Sequence, residues 1–446
     1  MRRTWMLLCY TILFIFTLQA QEKKQNKKYV DDEACGCELV FIDGIQTTHR
    51  NGLFGFKRED GTELVPPKYK FVDEFHDGFC LVLDDYEKVG LINKQGKEIL
   101  PCVFQEIVYP TEGIIKVRKG DFFGYYDTTG REMITPQWLS ASSFFEGRAV
   151  VSVLRDSLTF VYGFIDTTGR MVLPAVYEYA FPFKEGRAVV KRYDRMGLID
   201  TNGKEVLPIK YAYLSGMYMG RIFARDEESG LIAMFDGKGR QITSFVYNDV
   251  ISYGEGYYVV QRDSVQTYLD MKGRERFGKY QNASSFMDGY ASVQRGDRCG
   301  IINKRGKFVL PLEYENQKML PDAYRFHDGL ALVEKDGKVG FINKKGKVVV
   351  PIQYKSAFRF SDGLAPVSTN MGWGYIDQGN NEVIPFMFGP CSPFEYGRAS
   401  VVYENETYHI NASGQCVKNC KTYPTTLVQR KMAQLAVQRH NKKEGR

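Results

Sequence analysis

Apolar positions in this chain come in short runs that return at a long, fixed interval. Residues 337–367, GKVGFINKKGKVVVPIQYKSAFRFSDGLAPV, show one interval. Val339 to Asn343 is a brief run of β-prone residues. Lys344-Lys345-Gly346-Lys347 is a polar turn with a glycine, which takes positive φ without steric cost. Val348 to Val350 is a second apolar run, and Pro351, unable to donate to a ladder, is expected to stop it. Together they predict a β-hairpin. Gln353 to Phe360 reads as a connector with aromatic anchors at Tyr354, Phe358 and Phe360. Asp362-Gly363 then turns the chain into a further strand over 364–367. Neither Leu330–Val333 nor Val348–Val350 alternates with polar residues, so both faces of each small sheet should be covered. Stacking one unit on the next does this.

The pattern recurs with glycine at 55, 90, 124, 163, 197, 230, 300, 340 and 374. An acidic residue precedes glycine at Asp77, Glu112, Glu146, Glu185, Glu255, Asp288, Asp328 and Asp362. Proline recurs at 66, 101, 136, 174, 208, 311, 351 and 385. A period of this length means a tandem array. The expected fold class is all-β, about ten small β-meander or hairpin units and a short C-terminal helix. Propeller-like packing, as a ring or shallow spiral, is favoured, with an open β-solenoid as the alternative. Units near 34 residues leave room for three strands, or four very short ones.

These units resemble the WG (KWG) repeat of bacterial exported proteins. Trp373-Gly374-Tyr375-Ile376-Asp377 matches that pattern best, and Gly90, Gly124, Gly163, Gly197, Gly300, Gly340, Asp328 and Asp362 mark the other copies. The tryptophan position holds apolar Val89, Phe123, Tyr162, Met196 and Val339, while Ser229 is the polar exception. The resemblance covers roughly residues 52–414. It implies an array of β-hairpins and no single activity.

Residues 1–20 read as a secretory signal peptide, with Arg2 and Arg3 before an apolar stretch and Leu18-Gln19-Ala20 as the cleavage site. Residues 21–51 form a charged, flexible N-terminal segment with a partial strand at 38–43. The array occupies 52–420, worn between 197 and 293, a wear read as drift in preference to a seam. Residues 421–446 form a basic tail in which Val428, Met432 and Leu435 fall at helical spacing.

The chain carries 60 Lys and Arg against 53 Asp and Glu. Seven of the basic residues lie in the tail against Glu444 alone, so the array itself is close to neutral. A contact of the tail with an acidic surface and a frayed, solvated end are both compatible with this. Nucleic acid is disfavoured as a partner by the export signal and the neutral array. Once the signal is removed, no stretch is long enough to span a membrane as a helix.

Cys35 and Cys37 flank the array at one end, and Cys416 and Cys420 at the other. Disulfides among these four, joining the ends if they meet, are preferred to a metal site. Cys80, Cys102, Cys299 and Cys391 read as buried apolar side chains. No hydrolase, Walker or dinucleotide motif occurs. The recurrent acidic residues read as turn formers, not as a catalytic pair, so no catalytic, cofactor or metal residue is assigned. Aromatics make up 14% of the chain and read mainly as filling between units. The expected function is therefore a non-enzymatic scaffold of the bacterial cell envelope, periplasmic, surface-bound or secreted. It would recognise a protein through variable turns such as Asp194-Arg195, Glu227-Glu228 and Asn380-Asn381. The alternative is a glycan or cell-wall binder using exposed aromatics.

Overall fold

The computed structural model describes residues 27–32, 37–42, 44–156, 158–315, 324–418 and 420–443. The segment read as a signal peptide, and Cys35, lie outside the described residues. The described chain is almost entirely β, built as a succession of small antiparallel sheets with one helix, Thr425–Lys443. No sheet among the described residues closes into a barrel.

The sheet of residues 356–388 represents the repeat. A two-residue first strand, Ser356–Ala357, pairs with Leu364–Thr369, then Gly372–Asp377, then Glu382–Phe388, in sequential order. The connector of the sequence reading thus contains a minimal strand, and its Tyr354 is the last residue of the preceding one. Four strands fit in 34 residues because the first is so short.

Proline does not end the second apolar run. Pro66, Pro101, Pro136, Pro174, Pro208, Pro311, Pro351 and Pro385 all lie inside the last strand of their sheets, the fourth in most of them. That strand is the sheet's edge and bonds on one side only, so a missing N–H is tolerated. The ladder bulges there. Val339 faces Tyr354 and Phe341 faces Val350, so Pro351, Ile352 and Gln353 arch over the single residue Gly340. A Cβ on Gly340 would lie 2.7 Å from Ile352 Cα and from the Val350 and Pro351 carbonyl oxygens. Gly124, Gly163, Gly300 and Gly374 face the same obstruction, Gly90 meets Leu100 O and Cys102 Sγ, and Gly197 meets Ile209. The recurrent glycine is thus a matter of close approach within a strand.

The worn repeats show the same logic by departing from it. Val260 pairs with Thr267 where Val333 pairs with Gly340. The arch opposite Thr267 is Phe277-Gly278, both at positive φ, and Thr267 Oγ1 donates to Gly278 O at 2.9 Å. Glycine has moved to the other strand. In the preceding repeat Ala224 pairs with Ala233, so Ala233 holds the glycine position and buried Ile232 the tryptophan position. Gly230 and Ser229, read as those positions from the sequence, lie instead in the turn before the strand.

The described chain divides into two compact units, the residues up to 220 with 237–239, and 221–236 with those from 240 on. The division falls inside the worn stretch, which makes it a seam. Within the first unit, Val150, Phe164, Leu173 and Tyr177 of one sheet pack on Ala180, Phe183, Ala188, Val190 and Ile199 of the next. Ala149 and Val151, on the opposite face, pack on the preceding sheet with Tyr125 and Phe144. The second unit repeats this, for example Phe341 and Val350 against Phe360, Ala365 and Val367. Both faces are covered, as the continuous apolar runs require.

An aromatic pair marks these interfaces. Phe56–Phe75, Tyr125–Phe144, Phe164–Phe183, Tyr268–Phe286, Phe341–Phe360 and Tyr375–Phe394 have ring centroids 4.7–5.1 Å apart. Each tilted or edge-on pair contributes about 1 kcal/mol beyond the area it buries. Where the first ring is tyrosine, its hydroxyl donates to the next connector, Tyr125 to Ser142 O at 2.7 Å and Tyr375 to Ser392 O at 2.9 Å. The connector aromatics are therefore spent inside the array.

Both termini of the array carry additions. Residues 27–32, read as flexible, form a strand paired with Cys37–Ile42. The C-terminal helix lies along Glu382–Phe388 and packs Val428 and Met432, with Tyr423 before it, into the apolar cluster between the last two sheets. Tyr423 donates to Gly414 O at 2.8 Å. The tail is thus docked at its N-terminal half, against the apolar cluster shared by the last two sheets.

Candidate functional site

Antiparallel order places two kinds of turn at one end of each sheet and a third kind at the other. The acidic-Gly turn joins first and second strands. Asp362 and Gly363 have φ of 53° and 78°, and the other acidic-Gly pairs match them. Two consecutive positive φ values in a two-residue hairpin are the type I′ geometry, which suits the twist of the flanking strands. Asp tolerates this conformation, whereas Glu is held there at a strain of roughly 1 kcal/mol. Glu nevertheless occupies positions 112, 146, 185 and 255.

The offset is a bond to the next repeat. The Glu112 carboxylate accepts from Glu146 N at 2.6 Å and Gly147 N at 3.0 Å. Glu146 accepts from Gly186 N at 2.8 Å, and Glu185 from Gly220 N at 2.5 Å. In the second unit Glu255 accepts from Gly289 N, Asp328 from Gly363 N at 3.0 Å, and Asp362 from Gly397 N at 2.8 Å. Six of the acidic turns, at 112, 146, 185, 255, 328 and 362, therefore clasp the backbone of their successors. Met219 and Tyr396 hold the acidic position in the last copies of the two units and carry no carboxylate.

The turn between third and fourth strands is built on Asp or Asn. Asn343 Oδ1 accepts from Lys345 N at 2.9 Å and Lys347 N at 3.1 Å. Asp166 Oδ1 does the same with Thr168 and Arg170 and also takes the Thr168 hydroxyl. That hydroxyl, with the two amides, holds the Asp166 carboxyl below its ordinary value against a smaller opposing effect of burial. Asp127 repeats this with Thr129 and Arg131. These carboxylates shape turns.

The turn between second and third strands, at the opposite end, varies in length and composition. A side chain just after the fourth strand often fastens it. Glu178 accepts from Tyr193 and Asp194 N at 2.7 and 3.1 Å, and Gln105 and Gln281 cap Gly120 and Gly296. Large apolar side chains stand out at its tip: Tyr86, Leu158, Tyr193 and Met371 are 82, 90, 79 and 71% exposed, and Phe122, Leu154 and Phe160 are about half so. Asp194-Arg195 and Glu227-Glu228 belong to these turns, whereas Asn380-Asn381 lies at the other end.

Trp373 is half-buried and stacks on Phe358 at 5.5 Å. Cys416 and Cys420 are joined to each other, with Cα atoms 5.6 Å apart. They therefore fasten the chain end locally, and a bond from either to Cys35 or Cys37 is displaced. Cys37 begins a strand, but its side chain is outside the described part. Burial pushes the thiols of Cys80 and Cys391 up to about 12 and those of Cys102 and Cys299 to about 11, so all four stay protonated at neutral pH. The described residues hold no group of three or more His, Cys, Asp or Glu placed for a metal.

A family model described as a WG containing repeat matches residues 54–86, 90–121, 123–153, 162–194, 196–227, 300–338, 340–370 and 373–407, more than half of the chain. Comparison with curated proteins gives no match. Among solved structures, one titled as the eukaryotic initiation factor overlaps 76% of this chain and all of its own, at 11% identity and a TM-score of 0.36. Hsv2 of Kluyveromyces lactis overlaps 51% of this chain and 90% of its own, at 11% identity and a TM-score of 0.26. Similarity this slight carries no argument.

Proposed function

Because the chain belongs to the family built from WG-containing repeats, we propose that it is a non-enzymatic binding scaffold of the cell envelope that holds a protein partner on its variable turns. The observation that carries this reading is the set of exposed tips, Tyr86, Phe122, Leu158 and Tyr193, in successive turns of the first unit. Turns are free to vary while the stacked sheets stay fixed, and exposed aromatics are the anchors protein interfaces favour. The acidic residues, the most regular ionisable groups of the array, are engaged by backbone amides and support structure over catalysis. The export pattern of residues 1–20 supports the envelope placement, and the basic composition of residues 421–446 suits an acidic neighbour.

The test compares wild-type protein with a variant carrying Tyr86→Ser, Phe122→Ser, Leu158→Ser and Tyr193→Ser in crosslinking capture from envelope extracts. Circular dichroism melts confirm that both are folded. One protein recovered in near-stoichiometric yield by the wild type and lost by the variant is expected. Equal recovery by both, or recovery of wall polysaccharide without a dominant protein, overturns the reading.

A further inference from the structure

The turn between third and fourth strands gathers cations in two neighbouring repeats of the second unit without changing its shape. At 127, 166, 200, 236, 270 and 377 its founding residue is Asp, and in three of these turns the basic residue four positions on is tied to it. Arg170 Nε lies 3.3 Å from Asp166, Arg240 Nε 2.7 Å from Asp236, and Arg274 Nε 2.8 Å from Asp270. The founder is Asn at 93, 303, 343 and 411, and among these only 303 and 343 are followed by three cations within four residues. Asn303 Oδ1 accepts from Arg305 N and Lys307 N at 3.0 and 3.1 Å, within 0.1 Å of the Asn343 bonds. The amide keeps the turn and removes its one negative charge.

The freed positions are filled with cations. Residues 303–307 read NKRGK and 343–347 read NKKGK, and all six basic side chains are exposed. Lys304 reaches Glu255 at 3.3 Å, and Lys344 lies over the Tyr290 ring at 5.6 Å. Arg305, Lys307, Lys345 and Lys347 make no ion pair among the described residues. The two turns are fixed side by side, because Gly346 of the second sits against the Val309 carbonyl of the strand that leaves the first. Acidic neighbours at this end of the sheets are Glu255, Asp288, Asp328 and Asp362, with the turn founders Asp270 and Asp377 in the flanking repeats. Of these, Glu255, Asp328 and Asp362 accept backbone N–H bonds from the next turn.

We propose that these paired turns bind an anionic polysaccharide, one whose sulfate, phosphate or carboxylate groups recur along the chain. Two rigid turns, each with three cations and no carboxylate of its own, form a short basic track that a flexible anionic chain can follow over both repeats. The turns hold only Lys, Arg, Asn and Gly, without the aromatic faces on which unpaired bases stack; this favours a sugar polymer over single-stranded nucleic acid. The track lies at the opposite end of the sheets from the exposed tips and in the other unit, so it stands or falls separately from the partner-binding reading.

The test is anisotropy of fluorescein-labelled heparin with full-length protein over a range of NaCl. One variant removes the track (Lys304→Gln, Arg305→Gln, Lys307→Gln, Lys344→Gln, Lys345→Gln, Lys347→Gln). A control removes three cations from Asp-founded turns of the first unit (Arg131→Gln, Arg170→Gln, Lys204→Gln). The track variant should bind about tenfold or more weakly, its salt slope falling by about one for each lost contact, while the control shifts less than about twofold. A half-variant with Lys344→Gln, Lys345→Gln and Lys347→Gln should fall between, which guards against misfolding. Equal weakening per charge in track and control overturns the inference, as does absence of binding. Tighter binding of a single-stranded or duplex DNA of matched length overturns the polysaccharide assignment.

Discussion

Gly340→Ala tests the proline arch directly. The new methyl would meet Ile352 Cα, Pro351 O and Val350 O at 2.7 Å, whereas carbon contacts are comfortable near 3.5–4.0 Å. All three obstacles are backbone, so no side chain can swing aside. The fourth strand must lift by most of an ångström, and the expected cost is about 3 kcal/mol or more, at the upper end of overpacking. Gly363→Ala is the control. Its φ is 78°, but nothing lies within 4 Å of the added Cβ, so only left-handed strain remains, about 1 kcal/mol. In urea, with a cooperative unit whose m-value is about 3 kcal/mol/M, the two variants should lower the midpoint by about 1 M and about 0.3 M. Amide exchange along 338–354 should quicken in the first variant and stay nearly unchanged in the second. The natural counterexample at Thr267 supplies a rescue. Gly340→Thr together with Pro351→Phe and Ile352→Gly installs the Thr267, Phe277 and Gly278 arrangement and should recover about 1 kcal/mol or more relative to Gly340→Thr alone, the hydroxyl bond and the relieved clash both contributing. If Gly340→Ala costs no more than Gly363→Ala, or the triple variant recovers nothing, the arch is not what requires glycine.

Further outcomes follow from the turns and thiols. Glu112→Ala removes two acceptors from Glu146 N and Gly147 N and should destabilise by about 1 kcal/mol, a value already reduced for exposure; exchange of the Gly147 amide should accelerate, and unchanged exchange would refute the clasp. Thr168→Val removes the hydroxyl that lowers the Asp166 pKa, which NMR titration should show rising. A depressed folded-state pKa contributes stability above 3.8 that is lost as pH falls through the folded value, so this variant should be less stable than wild type at pH 7 and match it in acid. A gap that persists in acid would assign the loss to packing. Cys80 and Cys391, with thiols pushed up to about 12, should resist iodoacetamide at pH 8 in native protein and react in denaturant; rapid native labelling would contradict their burial.

The repeat was legible because every copy restates it in glycine, proline and an acidic residue. What those residues do was less legible. Proline suggested a strand end because the sequence does not reveal that the strand bonds on one side only. Spacing alone points to Gly230 as the interior glycine and cannot distinguish it from Ala233, three residues on, which the register selects. Strands as short as Ser356–Ala357 carry too few residues to show a period. The clasp from Glu112 to Gly147 leaves no local trace, since its acceptor and donor lie a full repeat apart. The neutral charge of the array hid its uneven placement, which depends on Asn replacing Asp at 303 and 343. The pairing of Cys416 with Cys420 was one of several arrangements that four cysteines permit.

The carboxylate clasp gives the array a direction. These six bonds all run from an acceptor early in the chain to an N–H about 34–40 residues later. A chain emerging N-terminus first thus presents each acceptor before its donor exists, and every finished repeat becomes a template that receives the next. Growth from the other end would ask each new turn to find a carboxylate not yet held in place. Assembly in the order of synthesis is written into the chemistry of one turn.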